Sequence, residues 1–258
     1  MNLILPYELS KRLVGYAFEQ NTVGMSTASV FKFYSPNDTL YLKIDKNAAK
    51  IAQERAVLDW LRGKLPVPQV VYYVESDGIG YMLETEMPGV SSHIHTIDKA
   101  TVRTLAKGLL RLQAVDIADC PFNHCLDVEL REALDNIRNN LVDMSDFEEN
   151  SPYNSPMALY EWLCNNRVVE EPCFVHGDFC LPNLLLHGGG YSFIDIGNAG
   201  ISDKWDDIAM CVRSLGYNLY LQKQDDKKNE LVDYLFECLG IDPDWQKIDY
   251  YIKLDELF

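Results

Sequence analysis

Paired cysteines are missing from this sequence. Its seven cysteines, at positions 120, 125, 164, 173, 180, 211 and 238, are odd in number and contain no Cys-x-x-Cys. That usage fits free thiols in a reducing compartment and speaks against a disulfide framework or a zinc site. Long apolar runs are missing too. No stretch approaches the ~20 residues that span a bilayer, and residues 1–15 lack the layout of a secretory signal, so a cytoplasmic protein is expected. Positive charge is scarce: 23 Lys and Arg face 39 Asp and Glu, a net charge of −16. Such a balance argues against nucleic acid and anionic membranes as partners, and for solubility or a cationic partner. Internal repeats and low-complexity segments are likewise absent.

What is present is ample core material. Of 258 residues, 47% are hydrophobic and 11% aromatic, enough for one large domain or two small ones. The most informative stretch is Phe174-Val-His-Gly-Asp-Phe-Cys-Leu-Pro-Asn183, closed by Phe193-Ile-Asp-Ile-Gly197. Phe174 and Val175 form a short apolar run that stops at the polar turn His176-Gly177-Asp178. Leu184 to Leu186 and Tyr191 to Ile194 are two further runs, and His187-Gly188-Gly189-Gly190 between them reads as a hairpin loop. Folding about those glycines sets Leu186 against Tyr191 and Leu184 against Phe193. Asn183 and Asp195 then leave the open end side by side, roughly 5 Å apart at the backbone. With Asp178 five residues before Asn183, these are hard oxygen ligands of the kind that suit Mg²⁺ held jointly with substrate phosphates.

The spacing matches a kinase catalytic loop, in which an Asp meets the substrate hydroxyl, an Asn five residues later holds metal, and a following Asp-x-Gly supplies a metal carboxylate. The wording His-Gly-Asp-Phe-Cys-Leu-Pro-Asn is narrower still. It resembles the aminoglycoside 3′-phosphotransferases, or kanamycin kinases, which are bacterial antibiotic-resistance enzymes. The likeness extends through Phe193-Ile-Asp-Ile-Gly-Asn-Ala-Gly-Ile-Ser-Asp-Lys-Trp-Asp-Asp-Ile-Ala209 to the ending Lys253-Leu-Asp-Glu-Leu-Phe258. It implies an α+β, two-lobed protein-kinase-like fold, with a small sheet-rich lobe over residues 1–87 that binds nucleotide. A larger, mainly helical lobe over residues 88–258 would carry catalysis and the substrate.

In the first lobe, Tyr7 to Tyr16 reads equally as a short helix or a strand. Val23 to Ala28 is a turn entering a strand over Ser29 to Phe33, and Thr39 to Ile44 is the next strand, with Tyr41 and Lys43 on one face. The resemblance places this hairpin over ATP: Ser26 and nearby amides meet phosphate, the Tyr41 ring stacks on adenine, and Lys43 reaches the α- and β-phosphates. Ala48 to Leu65 has helical spacing, with Ile51, Leu58 and Leu61 on one stripe. Glu54 falls on that stripe, where a carboxylate is costly unless paired, and Lys43 is the partner a kinase lobe would offer. Strands follow over Gln69 to Val74 and Gly80 to Glu84. Glu84-Thr-Glu-Met-Pro-Gly89 resembles the interlobe connector, so Glu84 and Met87 are expected to meet the nucleotide through their backbone.

In the second lobe, Leu105, Leu109 and Leu112 mark a helix over Ala100 to Val115, and Leu130, Leu134, Ile137 and Leu141 mark another. His93, His95 and His124 lie in polar connectors without an assigned role, while His176 is expected to support the catalytic loop. Asp143 to Asn154 is an acidic loop, and the resemblance makes Glu148, Glu149 and Asn150 candidates for the drug's ammonium groups. Asp203 is a plausible N-cap for a helix to Leu215. Another helix spans Asn229 to Leu239, and Pro243 opens a last one that buries Trp245, Ile248, Tyr251 and Ile252. The ending gathers Asp255, Glu256 and the terminal carboxylate of Phe258 at a helix C-terminus, which opposes the helix dipole; a bound cation would relieve this, and so would a frayed, solvated end. The resemblance makes Asp255, Glu256 and Phe258 substrate contacts.

These readings converge on transfer of the γ-phosphoryl of ATP, or of GTP, to an aminoglycoside hydroxyl, the 3′-hydroxyl by resemblance. Asp178 would be catalytic, Asn183 and Asp195 would hold Mg²⁺, and Ser26, Tyr41, Lys43, Glu54, Glu84 and Met87 would serve the nucleotide. The alternatives are a kinase of choline, a sugar or a macrolide on the same fold, and a nucleotide-binding pseudokinase. Two departures from the family pattern stand out: Asn198 where an Arg usually follows the Asp-x-Gly, and the less charged Gly216-Tyr-Asn-Leu-Tyr-Leu-Gln-Lys223.

Overall fold

Alternating apolar residues and a few well-placed caps account for the elements near the site. The fold comes from a computed structural model, which describes residues 3–21, 28–147 and 152–258. It divides into two compact units. The first joins residues 1–89 with the short segment Ser192–Gly197, and the second comprises Val90–Tyr191 and Asn198–Phe258.

The first unit opens with a short helix α1, Tyr7–Arg12, and then strand β1, Ala17–Asn21. So Tyr7 to Tyr16 is helical at its start. Strands β2 (Ser29–Tyr34) and β3 (Thr39–Asp45), helix α2 (Ala48–Leu61) and strands β4 (Val70–Ser76) and β5 (Ile79–Thr85) follow. The sheet order is β1-β2-β3-β5-β4, antiparallel at each pairing. Because residues alternate across a sheet, Phe31, Phe33, Leu40, Leu42, Tyr81 and Leu83 share one face and bury against Leu9 and Leu13. The opposite face carries Tyr41, Lys43, Met82 and Glu84, since Tyr41 pairs with Glu84 and Lys43 with Met82. Helix α2 comes close to β5: a Cβ on Gly80 would sit 2.8 Å from Ile51 Cβ. That helix is capped by Asn47, which accepts from the Ala49 N–H. It ends at Leu61, short of the expected Leu65, because Gly63 takes a left-handed φ of +77° and turns the chain out of the helix.

The second unit begins with strand β6, Val90–Ser91, and helix α3, Lys99–Gln113, capped by Asp98 at the Ala100 and Thr101 N–H groups. Leu105, Leu109 and Leu112 are fully buried along α3. Helices α4 (Leu126–Arg138) and α5 (Pro156–Asn165) follow, and α5 has no counterpart in the sequence reading. Leu141, expected on the α4 stripe, is 65% exposed, because the helix stops at Arg138 and Asn140 adopts a left-handed φ of +54°. Strand β7 (Pro172–Val175) pairs antiparallel with β10 (Gly200–Asp203), while β8 (Leu184–His187) and β9 (Gly190–Phe193) join β6 in the order β6-β8-β9. Helix α6, Lys204–Leu221, starts at its Asp203 cap and runs past the expected Leu215. The Gly216 to Leu221 segment is therefore helical. Helices α7 (Lys228–Leu239) and α8 (Trp245–Asp255) complete the unit. Along α8 Ile248 and Tyr251 are buried as expected, together with Lys247, Tyr250 and Leu254, whereas Trp245 is 53% exposed and Ile252 only half-buried.

Candidate active site

The catalytic-loop sequence is held by its own backbone. Phe174, Val175 and His176 are fully buried, so β7 delivers the chain from the core to the turn. The main-chain N–H groups of His176 and Gly177 both donate to the carboxylate of Asp207, at 2.7 and 3.0 Å. Asp207 sits in the first turn of α6 and is 2% exposed. Burial pushes its carboxyl up to about 7, the two N–H groups pull it down, and nearby Asp178 adds to the rise. Gly177 has a φ of +79°, and a Cβ there would stand 2.3 Å from the Asn198 carbonyl oxygen, so the turn admits only glycine. Phe179 is buried edge-on to the His176 ring, and a Cβ on Gly108 of α3 would lie 3.1 Å from it. The end of the loop is pinned by hydroxyls: Ser92 donates to the Leu181 carbonyl, Ser91 to the Pro182 carbonyl, and Ser214 accepts from the Leu181 N–H.

Asp178 and Asn183 are brought together. The Asn183 amide donates to Asp178 Oδ2 at 2.9 Å and to the Asp178 carbonyl at 3.0 Å, closing a single 3₁₀ turn over Leu181–Asn183. The Cys180 thiol donates to the other carboxylate oxygen, Oδ1. Burial, then the charge and hydrogen bond of Asp178, raise that thiol above its ordinary range, so Cys180 is a donor rather than a thiolate. The amide nitrogen of Asn183 is thus turned to Asp178, and its amide oxygen is a hard donor of the kind that suits Mg²⁺.

In the first unit, Lys43 gathers the carboxylates. It forms ion pairs with Glu54, from α2, and with Asp195 Oδ1 at 3.1 Å. Lys43 and Glu54 are 7% and 8% exposed. Burial alone would lower the Lys43 ammonium, but Glu54, Glu84 and Asp195 outweigh it and hold the charge well above the usual lysine range. Asp195 stands in a left-handed backbone conformation, φ +58°, with its side chain half-exposed. Its segment is tied to the first unit by the Phe193 N–H, which donates to the Pro66 carbonyl, and by Gly197, where a Cβ would lie 3.2 Å from that of Glu54. A half-exposed carboxylate with one oxygen on Lys43 has the donor chemistry that Mg²⁺ takes alongside phosphates. Among the described residues no group of three His, Cys, Asp or Glu side chains is arranged for metal, so phosphates would have to complete such a site.

Glu84, expected to meet the nucleotide through its backbone, lies one residue before the end of β5, which runs to Thr85; its side chain is 6% exposed and faces the Lys43 group. Tyr41 is half-buried on the same face, with Lys32 over its ring at 5.8 Å, and Met87 is half-buried beyond the strand. Ser26, Glu148, Glu149 and Asn150 lie outside the described residues.

The chain's end also differs from its reading. Asp255 is not left to clash with the helix dipole, because Arg213 of α6 pairs with it. Glu256 and Leu257 are buried and the Asn136 amide holds the Leu257 carbonyl at 3.0 Å, while Phe258 is 56% exposed. Asp207, Cys180 and Arg213 escaped sequence reasoning; only the apolar spacing around Asp207 on α6 hinted that it would be buried.

A model of the phosphotransferase enzyme family matches residues 19–246. The chain belongs to that family. Among its relatives, an aminoglycoside 3′-phosphotransferase of Enterococcus faecalis is 38% identical over 97% of both chains. Another, of Campylobacter jejuni, is 37% identical over 91% of this chain and 94% of its own. Among solved structures, a type VIII aminoglycoside 3′-phosphotransferase superposes with a TM-score of 0.83 at 24% identity, each chain 97% covered. An aminoglycoside phosphotransferase of Streptomyces rimosus, in complex with ADP and streptomycin, gives 0.81 at 21% identity, with 96% and 95% covered. The fold is thus the two-lobed, protein-kinase-like fold of the family's enzymes. No helix among the described residues is long and apolar enough to cross a membrane.

Proposed function

We propose that this enzyme transfers the γ-phosphoryl group of ATP to the 3′-hydroxyl of an aminoglycoside antibiotic, conferring resistance in the cytoplasm. The observation that carries the reading is the Asp178–Asn183 hydrogen bond on a loop whose backbone is held by Asp207. Full-length relatives named aminoglycoside 3′-phosphotransferase support the acceptor and its hydroxyl. The ADP and streptomycin in the Streptomyces rimosus structure support the substrate pair.

Phosphoryl transfer passes through a loose transition state, so alignment and charge neutralisation outweigh covalent help. Asp178 orients the acceptor hydroxyl and takes its proton late. Lys43, steadied by Glu54, binds the nucleotide's α- and β-phosphates, and the Tyr41 ring stacks on the base. Ser26 and nearby amides meet phosphate, and Glu84 and Met87 meet the nucleotide through their backbone. Asn183 and Asp195 would hold Mg²⁺, which would supply charge neutralisation at the phosphates. Glu148, Glu149, Asn150, Asp255, Glu256 and Phe258 receive the polycationic drug, and the −16 net charge raises its encounter rate. In this reading residues 1–87 serve the nucleotide and residues 88–258 serve catalysis and the acceptor.

A coupled assay with kanamycin, neomycin, choline and no acceptor tests the proposal. Kanamycin-dependent ADP release that disappears in Asp178→Ala supports it. Turnover with choline but with neither drug would replace the acceptor, and no turnover with any of them would end the reading.

A further inference from the structure

Glu84 is the one part of the Lys43 group that the reaction just described does not use through its side chain. It lies on β5 directly opposite Tyr41 of β3, and cross-strand partners in an antiparallel pair point to the same side about 5 Å apart. The residue is 6% exposed, and its Oε2 has no hydrogen-bond partner among the described residues. A buried carboxyl oxygen without a donor is costly, so its retention points to a ligand that brings one.

A nucleoside triphosphate has few groups that qualify. Its phosphates offer only acceptors and negative charge, which a carboxylate repels. Donors exist on the ribose hydroxyls and on the base. Tyr41, the ring assigned to the base, is the residue Glu84 faces, so the base is the nearer choice. At its 6-position guanine carries a carbonyl, an acceptor that a carboxylate repels. Adenine carries an amine there, a donor that the orphaned Oε2 satisfies.

We propose that Glu84 is the residue that reads the nucleotide's base, its Oε2 accepting a hydrogen bond from the 6-amino group of adenine. This rests on the nucleotide-binding reading above and adds a specificity determinant to it. A site that hydrogen-bonds a substrate N–H rejects the analogue lacking that group, because the buried acceptor is then left unpaired.

The test compares ATP, GTP and purine riboside 5′-triphosphate, which lacks the amino group, by calorimetric titration of the full chain at pH 8. Wild type should bind ATP about tenfold or more tightly than the purine riboside analogue, the size expected for a hydrogen bond to a charged acceptor. In Glu84→Met and Glu84→Leu that preference should collapse to about twofold or less. These variants exchange a buried carboxyl for apolar volume, a change that stability tolerates. If wild type already binds the two alike, binds GTP more tightly than ATP, or keeps its preference in a folded variant, the inference is overturned, whatever the variants' fate. Kanamycin-dependent turnover is measured beside it: turnover with an unchanged ratio removes only the role of Glu84, whereas no binding and no turnover remove the nucleotide reading as well.

Discussion

Asn183 holds Asp178 twice, once at a carboxylate oxygen and once at the main-chain carbonyl. One side chain therefore fixes both the backbone and the rotamer of the proposed catalytic group. Replacing Asp178 by Asn keeps the shape and removes the proton acceptor. Kanamycin-dependent kcat should fall by about 10²–10⁴, the usual worth of a positioned acid–base group. ATP affinity, measured by titration, should stay within about twofold, because Asp178 is assigned to the acceptor and not to the nucleotide.

Gly177 is the position least able to change. Alanine there would meet both a left-handed backbone and the Asn198 carbonyl oxygen at 2.3 Å. The clash is with backbone, which cannot swing aside. Gly177→Ala should lower the unfolding free energy by about 2–4 kcal/mol in urea denaturation. It should also depress kcat even at temperatures where the variant remains folded, because the Gly177 N–H is one of the two that Asp207 holds. A variant as stable and active as wild type would mean that the turn relaxes.

Much of this was legible in the sequence and some was not. The strands β2 and β3 show plain alternation, and the Asp178, Asn183 and Asp195 spacing carries its own chemistry. Glu54 could be assigned to Lys43 because a carboxylate on an apolar stripe demands a partner. Asp207 could not be foreseen in the same way, since its partners are main-chain N–H groups and leave no trace in side-chain identity. Arg213 and Asp255 are 42 residues apart, and nothing local links them. Glu84 was placed on its strand, but the burial of its side chain beside Lys43 follows from pairing with β3 and β4, which local pattern does not encode.

Lys43 is shared by two carboxylates, Glu54 and Asp195, with Glu84 close enough to feel its charge. Lys43→Met would leave Glu54 buried without its counter-ion. Removing one member of a buried pair costs about 3–5 kcal/mol. The variant should melt lower than wild type, and its KM for ATP should rise. Glu54→Gln, which keeps the volume and leaves Lys43 with Asp195, should lose less stability. The reverse order of melting temperatures would mean that Glu54, not Lys43, is the group whose desolvation dominates.

The same burial makes stability depend on pH in a defined direction. Desolvation pushes the Glu84 carboxyl up to about 7 from an ordinary 4.5, with Lys43 opposing and Glu54 and Asp195 assisting. Between those two values the folded chain keeps a proton that the unfolded chain has lost. The folded state then binds more protons, so the unfolding free energy falls as pH rises through this window. The contribution is fully present below about pH 4.5 and gone above about pH 7, and is on the order of 3 kcal/mol at most. Asp207, also pushed up to about 7, acts with the same sign. Glu171, drawn down to about 2 by hydrogen bonds from Lys204 and Trp205, acts with the opposite sign but only at more acid pH. Urea denaturation of wild type and Glu84→Met at pH 5 and pH 8 isolates the Glu84 part. Relative to the variant, wild type should be more stable at pH 5 than at pH 8. An identical difference at both would mean that the folded protein holds Glu84 ionised throughout, with Lys43 outweighing its burial.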